Sequence, residues 1–284
     1  MQAEHETNTG GMRMKGIFSQ NSAYRPLVTV VTAVFNGQAY LAGCLESVLR
    51  QDYPNIEHIV LDGGSSDGTV EVLRKYDDRI AYWKSESDKG IYDAWNKALA
   101  MANGEWICFL GVDDVLLPGA VSAYMDLAQS NPQAEYMSSR VRWVHPSGYQ
   151  FTYGKPWKLP HFSRLMCIAH VGSMHRRSLY ERLGTYDTSY RSAADYEFLL
   201  RARSHLNTVF MPTTTVLMRA GGISDDSSVL HEAKRAKILS GGRNRMLAEL
   251  DLYFASAVFL LRPLRRALNR IRAARPQDEN GGDR

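Results

Sequence analysis

The sequence predicts an α/β fold around a mostly parallel sheet, and three observations predict it. Four apolar runs of strand length alternate with three helical patterns between Leu27 and Leu110, the alternation that gives parallel strands with right-handed crossovers. The first run, Leu27 to Phe35, is β-branched and almost continuously apolar, as a strand covered on both faces is. The first, second and fourth runs each lead into Asn or Asp, and open α/β sheets bind ligands beyond the carboxyl ends of their strands.

Each element follows from local pattern. After the first strand Gly37 breaks the run, and Tyr40, Leu41, Cys44, Leu45, Val48 and Leu49 fall at helical spacing up to a stop before Pro54. Asn55 to Leu61 is a second strand, ending in the turn-rich Asp62-Gly63-Gly64-Ser65-Ser66-Asp67-Gly68-Thr69. Asp67 is placed to cap a helix carrying Val70, Leu73 and Tyr76. Ile80 to Lys84 is a third strand, and Ile91 to Ala102 a helix closed by Asn103-Gly104. The fourth strand, Trp106 to Leu110, runs into Gly111-Val112-Asp113-Asp114. A helix follows Pro118; Tyr136 to Val144 and Tyr149 to Tyr153 form strands around a turn. His170 to Arg176 reads as strand or loop and Arg177 to Leu183 as a helix. Arg191 to Arg201 is a helical pattern with two acids in its first turn, Thr208 to Met218 is a strand, and Gly221 to Ser224 is a turn. From Ser228 to about Ala274 the pattern is helical, broken at Gly241-Gly242 and Pro263. The expected division is a flexible lead over 1–25, a catalytic domain over 26–225 and a basic helical segment over 226–284.

Composition narrows the function. The chain has 284 residues, 44% hydrophobic and 23% charged, which suits a soluble globular protein. Net charge is only +4, and six arginines with no acid lie between Arg262 and Arg275. That is a local patch and not a nucleic-acid footprint. Cys44, Cys108 and Cys167 are far apart, so reduced thiols in a cytoplasmic setting are expected, with no structural zinc. No apolar run is long enough to span a bilayer. Neither a P-loop nor a dinucleotide-binding glycine pattern occurs.

Adjacent acids at the end of a strand have two readings. Asp113 and Asp114 can start a helix, where acids are common, or hold Mg²⁺ or Mn²⁺, whose remaining ligands are usually water and substrate phosphates.

Five motifs in order decide between them: TVVTAVFN (Thr29 to Asn36), VLDGGSSDGT (Val60 to Thr69), ESDKGIYDAWNKA (Glu86 to Ala98), FLGVDD (Phe109 to Asp114) and AADYEFLLR (Ala193 to Arg201). Together, from about Leu27 to Ser224, the chain resembles the family 2 glycosyltransferases of GT-A fold. The resemblance implies a Rossmann-like sheet flanked by helices and transfer, with inversion, of a sugar from a nucleotide-sugar to an acceptor hydroxyl. UDP is the default nucleotide, with dTDP and GDP as alternatives. Val34 and Asn36 resemble contacts to base and ribose, Asp62 the acid that meets the base, and Asp88 the next acid of the nucleotide pocket. Asp113 and Asp114 resemble the Asp-x-Asp metal and donor site, although Gly111 stands where the family often has Asp or Asn. Asp195 resembles the catalytic base, with Ala194 replacing a frequent Glu, so Asp195 acts alone or with Glu197. A catalytically silent nucleotide-sugar-binding or assembly partner of the same fold is the alternative.

Other residues have weaker assignments. His170 is either structural or an acceptor or phosphate contact, and Trp157 is a candidate for stacking on a sugar. Arg176, Arg177 and Arg201 are candidate phosphate ligands; Asp93 is expected to be structural, and Trp95, Trp106 and Trp143 to be core. Leu252 to Ile271 either lies at an anionic membrane surface, with Tyr253, Phe254 and Phe259 entering the interface, or packs on the protein. A membrane location would suit a lipid-linked saccharide acceptor in polysaccharide or lipopolysaccharide assembly.

Overall fold

The computed structural model describes residues 8–22, 24–222 and 227–261. Its sheet begins at a short edge strand, β1 (Thr9–Gly10), antiparallel to β4 (Tyr82–Ser85). From β4 the order runs inward through β3 (Ile56–Asp62), β2 (Val28–Val34) and β5 (Trp106–Phe109), all parallel. The crossovers are α1 (Gln38–Leu49), α2 (Thr69–Lys75) and α3 (Ile91–Met101). The expected four-strand, three-helix alternation is therefore present, with boundaries close to those read from the sequence.

Beyond β5 the sheet becomes mixed. β9 (Ser173–Arg176) is antiparallel both to β5 and to β7 (Tyr136–Val144). β10 (Thr208–Arg219) lies parallel to β7, β6 (Val115–Leu116) pairs antiparallel with β10, and β8 (Gln150–Tyr153) pairs with β7. The stretch from His170 resolves into a single 3₁₀ turn, His170–Gly172, followed by β9.

Helices cover both faces, which explains why the central strands are apolar throughout. Alternate residues of β2 and β5 divide between two cores. Val28, Val30 and Cys108 pack toward α1 and α4 (Ala120–Ser130). Val31, Ile107 and Phe109 pack in a core shared with α3, α5 (Leu159–Phe162), α6 (Arg177–Leu183) and α7 (Ala194–Ala202). Trp95, Trp106 and Trp143 are buried, as expected.

One expectation is corrected and another extended. The lead is not free over its described part: β1 pairs with β4, and the Arg13 guanidinium reaches the Met101 carbonyl (2.8 Å) and the buried Glu57 carboxylate. A two-residue edge strand has no periodicity to read, so nothing in the local pattern marks it. Asp67 does more than cap one helix. Its Oδ1 accepts the Thr69 amide (3.1 Å) at the start of α2, and its Oδ2 accepts the Gln38 amide (3.0 Å) at the start of α1.

The helical C-terminal pattern appears as α8 (Ser228–Leu239) and α9 (Arg245–Leu260), broken at Gly241-Gly242. α8 packs on α7 and α9 on α8. Within the expected membrane segment Leu252 turns inward, while Tyr253 and Phe254 are exposed. The turn at Ile223 and Ser224 and the arginine run from Arg262 to Arg275 lie outside the described residues.

Candidate active site

The parallel strands set the site by carrying their last residues to one edge of the sheet. Val34 and Asp62 end β2 and β3, the loop after β4 holds Asp88, and the loop after β5 holds Asp113 and Asp114. The first turn of α3 starts at this same edge, and Tyr92 in that turn hydrogen-bonds Asp195 in the first turn of α7.

The nucleotide-side residues meet around the loop 63–66. Val34 is buried, and its carbonyl accepts the Gly63 amide at 2.8 Å. Asn36 sits in the left-handed region, φ 50°, which asparagine tolerates better than most residues. There its amide donates to Ser65 Oγ (2.7 Å) and its side-chain oxygen accepts the Ser66 amide (3.0 Å). A Cβ on Gly63 would stand 2.9 Å from Asp88 Oδ2, so Asp88 lies directly against this loop. Asp62 is buried and faces inward. It accepts from the Gly64 and Ser65 amides (3.2 and 2.9 Å), from Ser85 Oγ (2.7 Å) and from the Ser65 hydroxyl. Its carboxylate thus shapes the loop, and the expected direct contact with a base is not what this arrangement presents. Phe35, 66% exposed beside Gly63, offers the open aromatic face instead. An exposed aromatic at the end of a buried strand is the signal by which the sequence could have named it.

The acid pair is shaped by a missing side chain. A Cβ at Gly111 would stand 2.6 Å from Asp114 Oδ2 and 3.1 Å from Asp113 Oδ1, so the two carboxylates converge on the space a side chain would fill. Gly111, with no side chain, leaves that space open. Asp114 is buried, and its Oδ1 accepts the Arg219 amide at 3.1 Å. Desolvation, and then the Asp113 charge, push the Asp114 carboxyl up to about 7. Desolvation also raises Asp113. Two hard oxygen donors that repel each other in a half-dry cradle fit a divalent cation. Among the described residues no group of three or more His, Cys, Asp or Glu forms a complete cage, so such an ion would need substrate or water oxygens as well. The Arg219 guanidinium lies beside the pair, over the Tyr40 ring at 5.4 Å. Sequence reading missed Arg219 because 105 residues separate it from Asp114.

Asp195 is half-buried, not sealed in the interior. The Tyr92 hydroxyl donates to its Oδ1 at 3.1 Å. Desolvation raises its carboxyl to about 6, against the lowering effect of the Tyr196 amide and the Tyr92 hydroxyl. Tyr92 itself belongs to an aromatic cluster with Trp95 and Tyr186, which fixes its ring.

Several candidates are placed elsewhere. Glu197 is buried, held by Arg201 Nε (2.8 Å) and Ser240 Oγ (2.6 Å), and cannot assist Asp195. Ala194 is wholly buried, so the frequent Glu has no open place there. His170 stacks on Trp95 (4.8 Å) and bonds the Tyr186 hydroxyl (3.1 Å); burial holds its ring neutral, pushed down to about 3. That is a packing role, and the acceptor or phosphate contact is corrected accordingly. Trp157 packs on Phe162 at 4.3 Å instead of standing free for a sugar. Arg176, Arg177 and Arg201 bind Glu105, Glu197 and backbone carbonyls, so none is a free phosphate ligand. Asp93 pairs with Lys97 at 3.2 Å, as a structural acid.

The sheet and the acids along its edge define a GT-A glycosyltransferase domain, with solved neighbours of that type. The pattern of glycosyl transferase family 2 matches residues 29–219, and the chain belongs to that family. It is 36% identical over 190 residues to an uncharacterized glycosyltransferase of Mycobacterium tuberculosis, covering 62% of this chain and 69% of that protein. A PGL/p-HBAD biosynthesis glycosyltransferase of Mycobacterium bovis is 27% identical over 186 residues, covering 63% and 71%. Among solved structures, S. aureus TarS 1-349 in complex with UDP aligns with a TM-score of 0.61 at 19% identity, over 83% of this chain and 71% of that one. The mannosyltransferase PcManGT from Pyrobaculum calidifontis, in complex with GDP-Man and Mn²⁺, gives 0.61 at 20% identity, over 93% and 81%. At these identities the structural likeness establishes the fold.

Proposed function

We propose that this glycosyltransferase moves a sugar from a nucleotide-sugar, with UDP the first nucleotide to test, to an acceptor hydroxyl with inversion at the anomeric carbon. The observation that carries the reading is the pairing of two sites on one sheet edge: converging acids over Gly111, and Asp195 held by Tyr92. Asn36, Asp88 and Phe35 bind the nucleoside end, and Arg219 neutralises diphosphate charge. Asp113 and Asp114 would hold Mg²⁺ or Mn²⁺, which supplies Lewis-acid stabilisation of the leaving diphosphate. Asp195, with a carboxyl raised to about 6, takes the proton of the attacking hydroxyl. It is still ionised near neutral pH and is a stronger base than an ordinary carboxylate. A single base on the far side of the sugar gives in-line displacement without a covalent intermediate.

A role in cell-surface polysaccharide or lipopolysaccharide assembly is part of this reading. It is supported by the resemblance to a relative named a PGL/p-HBAD biosynthesis glycosyltransferase.

The test is nucleoside diphosphate release from UDP-, GDP- and dTDP-sugars with Mg²⁺ or Mn²⁺, in wild type and Asp195→Ala. The expected result is cation-dependent release that Asp195→Ala lowers by about a hundredfold or more. Full turnover by the variant removes Asp195 as the base. No release from any donor, with nucleotide still bound, makes the chain a silent binding partner.

A further inference from the structure

α9 is fastened through one buried acid and leaves most of its large apolar side chains exposed. Asp251 is buried among three cations, with Arg243 Nη2 at 3.0 Å and Lys237 Nζ and Arg164 Nε each at 3.7 Å. Ala248 and Leu252 are buried beside it, and the Asn244 side chain caps the helix by accepting the Met246 amide at 2.8 Å. This fastening orients the opposite side of the helix. Met246, Leu250, Tyr253, Phe254, Val258 and Leu261 are all exposed, with Met246, Tyr253 and Phe254 each 70% or more. Spacings of three and four place them on one stripe.

A continuous apolar stripe of this size marks an interaction surface. Charge says which kind. From Leu250 to Leu261 the only ionisable acid is the buried Asp251, and the next fourteen residues carry six arginines and no acid. An aromatic and aliphatic face running into a purely cationic stretch complements anionic lipid, where side chains enter the headgroup boundary and arginines meet phosphate. Among the described residues no helix is long and apolar enough to cross a membrane, so the contact lies on the surface.

We propose that the exposed face of α9, with the arginine run after it, docks this enzyme onto an anionic lipid bilayer. The contact is separate from the donor chemistry above, so membrane binding and turnover are read independently.

The experiment uses the full chain and sedimentation with two kinds of vesicle, phosphatidylcholine alone and phosphatidylcholine mixed with phosphatidylglycerol. Light scattering follows the protein alone. Wild type is expected to pellet with the anionic vesicles, more weakly as salt rises, and far less with the neutral ones. Leu250→Glu combined with Phe254→Glu should weaken binding by about tenfold or more, with an unchanged melting temperature and unchanged donor turnover, because both side chains are exposed. Arg265→Glu combined with Arg266→Glu should abolish the preference for anionic vesicles. Wild type remaining in the supernatant with anionic vesicles overturns the proposal, as does the apolar variant pelleting like wild type. A concentration-dependent dimer dispersed by the same pair, without vesicle binding, would assign the face to a second copy and overturn it equally.

Discussion

Tyr92→Phe removes one oxygen and leaves the ring that packs against Trp95 and Tyr186. What is lost is the donor at 3.1 Å from Asp195 Oδ1. A hydrogen bond to a charged acceptor is worth about 1.5–3 kcal/mol, and partial exposure of Asp195 favours the lower end. At about 1.4 kcal/mol per pKa unit, the Asp195 carboxyl should rise by about one unit, from about 6 toward 7. The base works ionised, so activity is lost as pH falls through its pKa. The variant should therefore lose about twofold in kcat at pH 7, about fivefold at pH 6, and recover above pH 8. The assay is nucleoside diphosphate release at saturating donor and acceptor across that range. An acid limb that stays in place in Tyr92→Phe, while Asp195→Asn is inactive, would refute the view that Tyr92 sets the basicity of Asp195. An equal loss at every pH would also refute it, since that would mean displaced geometry.

Three further outcomes concern the acids. Gly111→Ala puts a methyl 2.6 Å from Asp114 Oδ2; displaced carboxylates should raise the cation concentration for half-maximal activity by about tenfold or more, read from Mn²⁺ and Mg²⁺ titrations. Asp114→Asn should be inactive yet more heat-stable without divalent cation. The Asp114 carboxyl is raised from 3.8 to about 7, so its stabilising protonated form is lost as pH rises through that value. The variant should melt on the order of 5 °C higher at pH 8 and like wild type at pH 4. Glu197→Gln should do the reverse: weakening the buried pairing with Arg201 (Nε at 2.8 Å) should lower the melting temperature while kcat stays within about twofold, which a chromatographic activity assay and a thermal melt separate.

The parallel half of the sheet could be read from sequence because its information is local. Each buried strand is one apolar run, and each helix shows its own period. The mixed half is less legible because partners there are distant: β9 slots between β5 and β7 and pairs with β5 as Trp106 with Arg176 and Ile107 with His175, and neither neighbour announces it. The acids divide in the same way. Asp113 and Asp114 are adjacent and can be seen, and Asp195 carries its own motif. Tyr92 and Arg219 matter through contacts across 103 and 105 residues, which no spacing in one sequence encodes. Asp62 is the converse case. Its position along the chain marks it for a ligand contact, but only three dimensions reveal that its Oδ2 accepts from Gly64, Ser65 and Ser85 and so shapes the loop.

The clasp between Arg13 and Glu57 bears on how this protein can be trimmed. Glu57 is 1% exposed and gathers Thr29 Oγ1 (2.5 Å), the Asn103 amide (2.6 Å) and the Gly104 amide (3.2 Å) beneath the sheet. Arg13 is the cation of that cluster. Starting the chain at Pro26, where composition suggests the domain begins, would strand a carboxylate in a dry place and uncover the outer hydrogen-bonding edge of β4 at once. A shortened enzyme would then be prone to self-association through that bare strand, whereas a tag joined ahead of Asn8 would leave the seam shut.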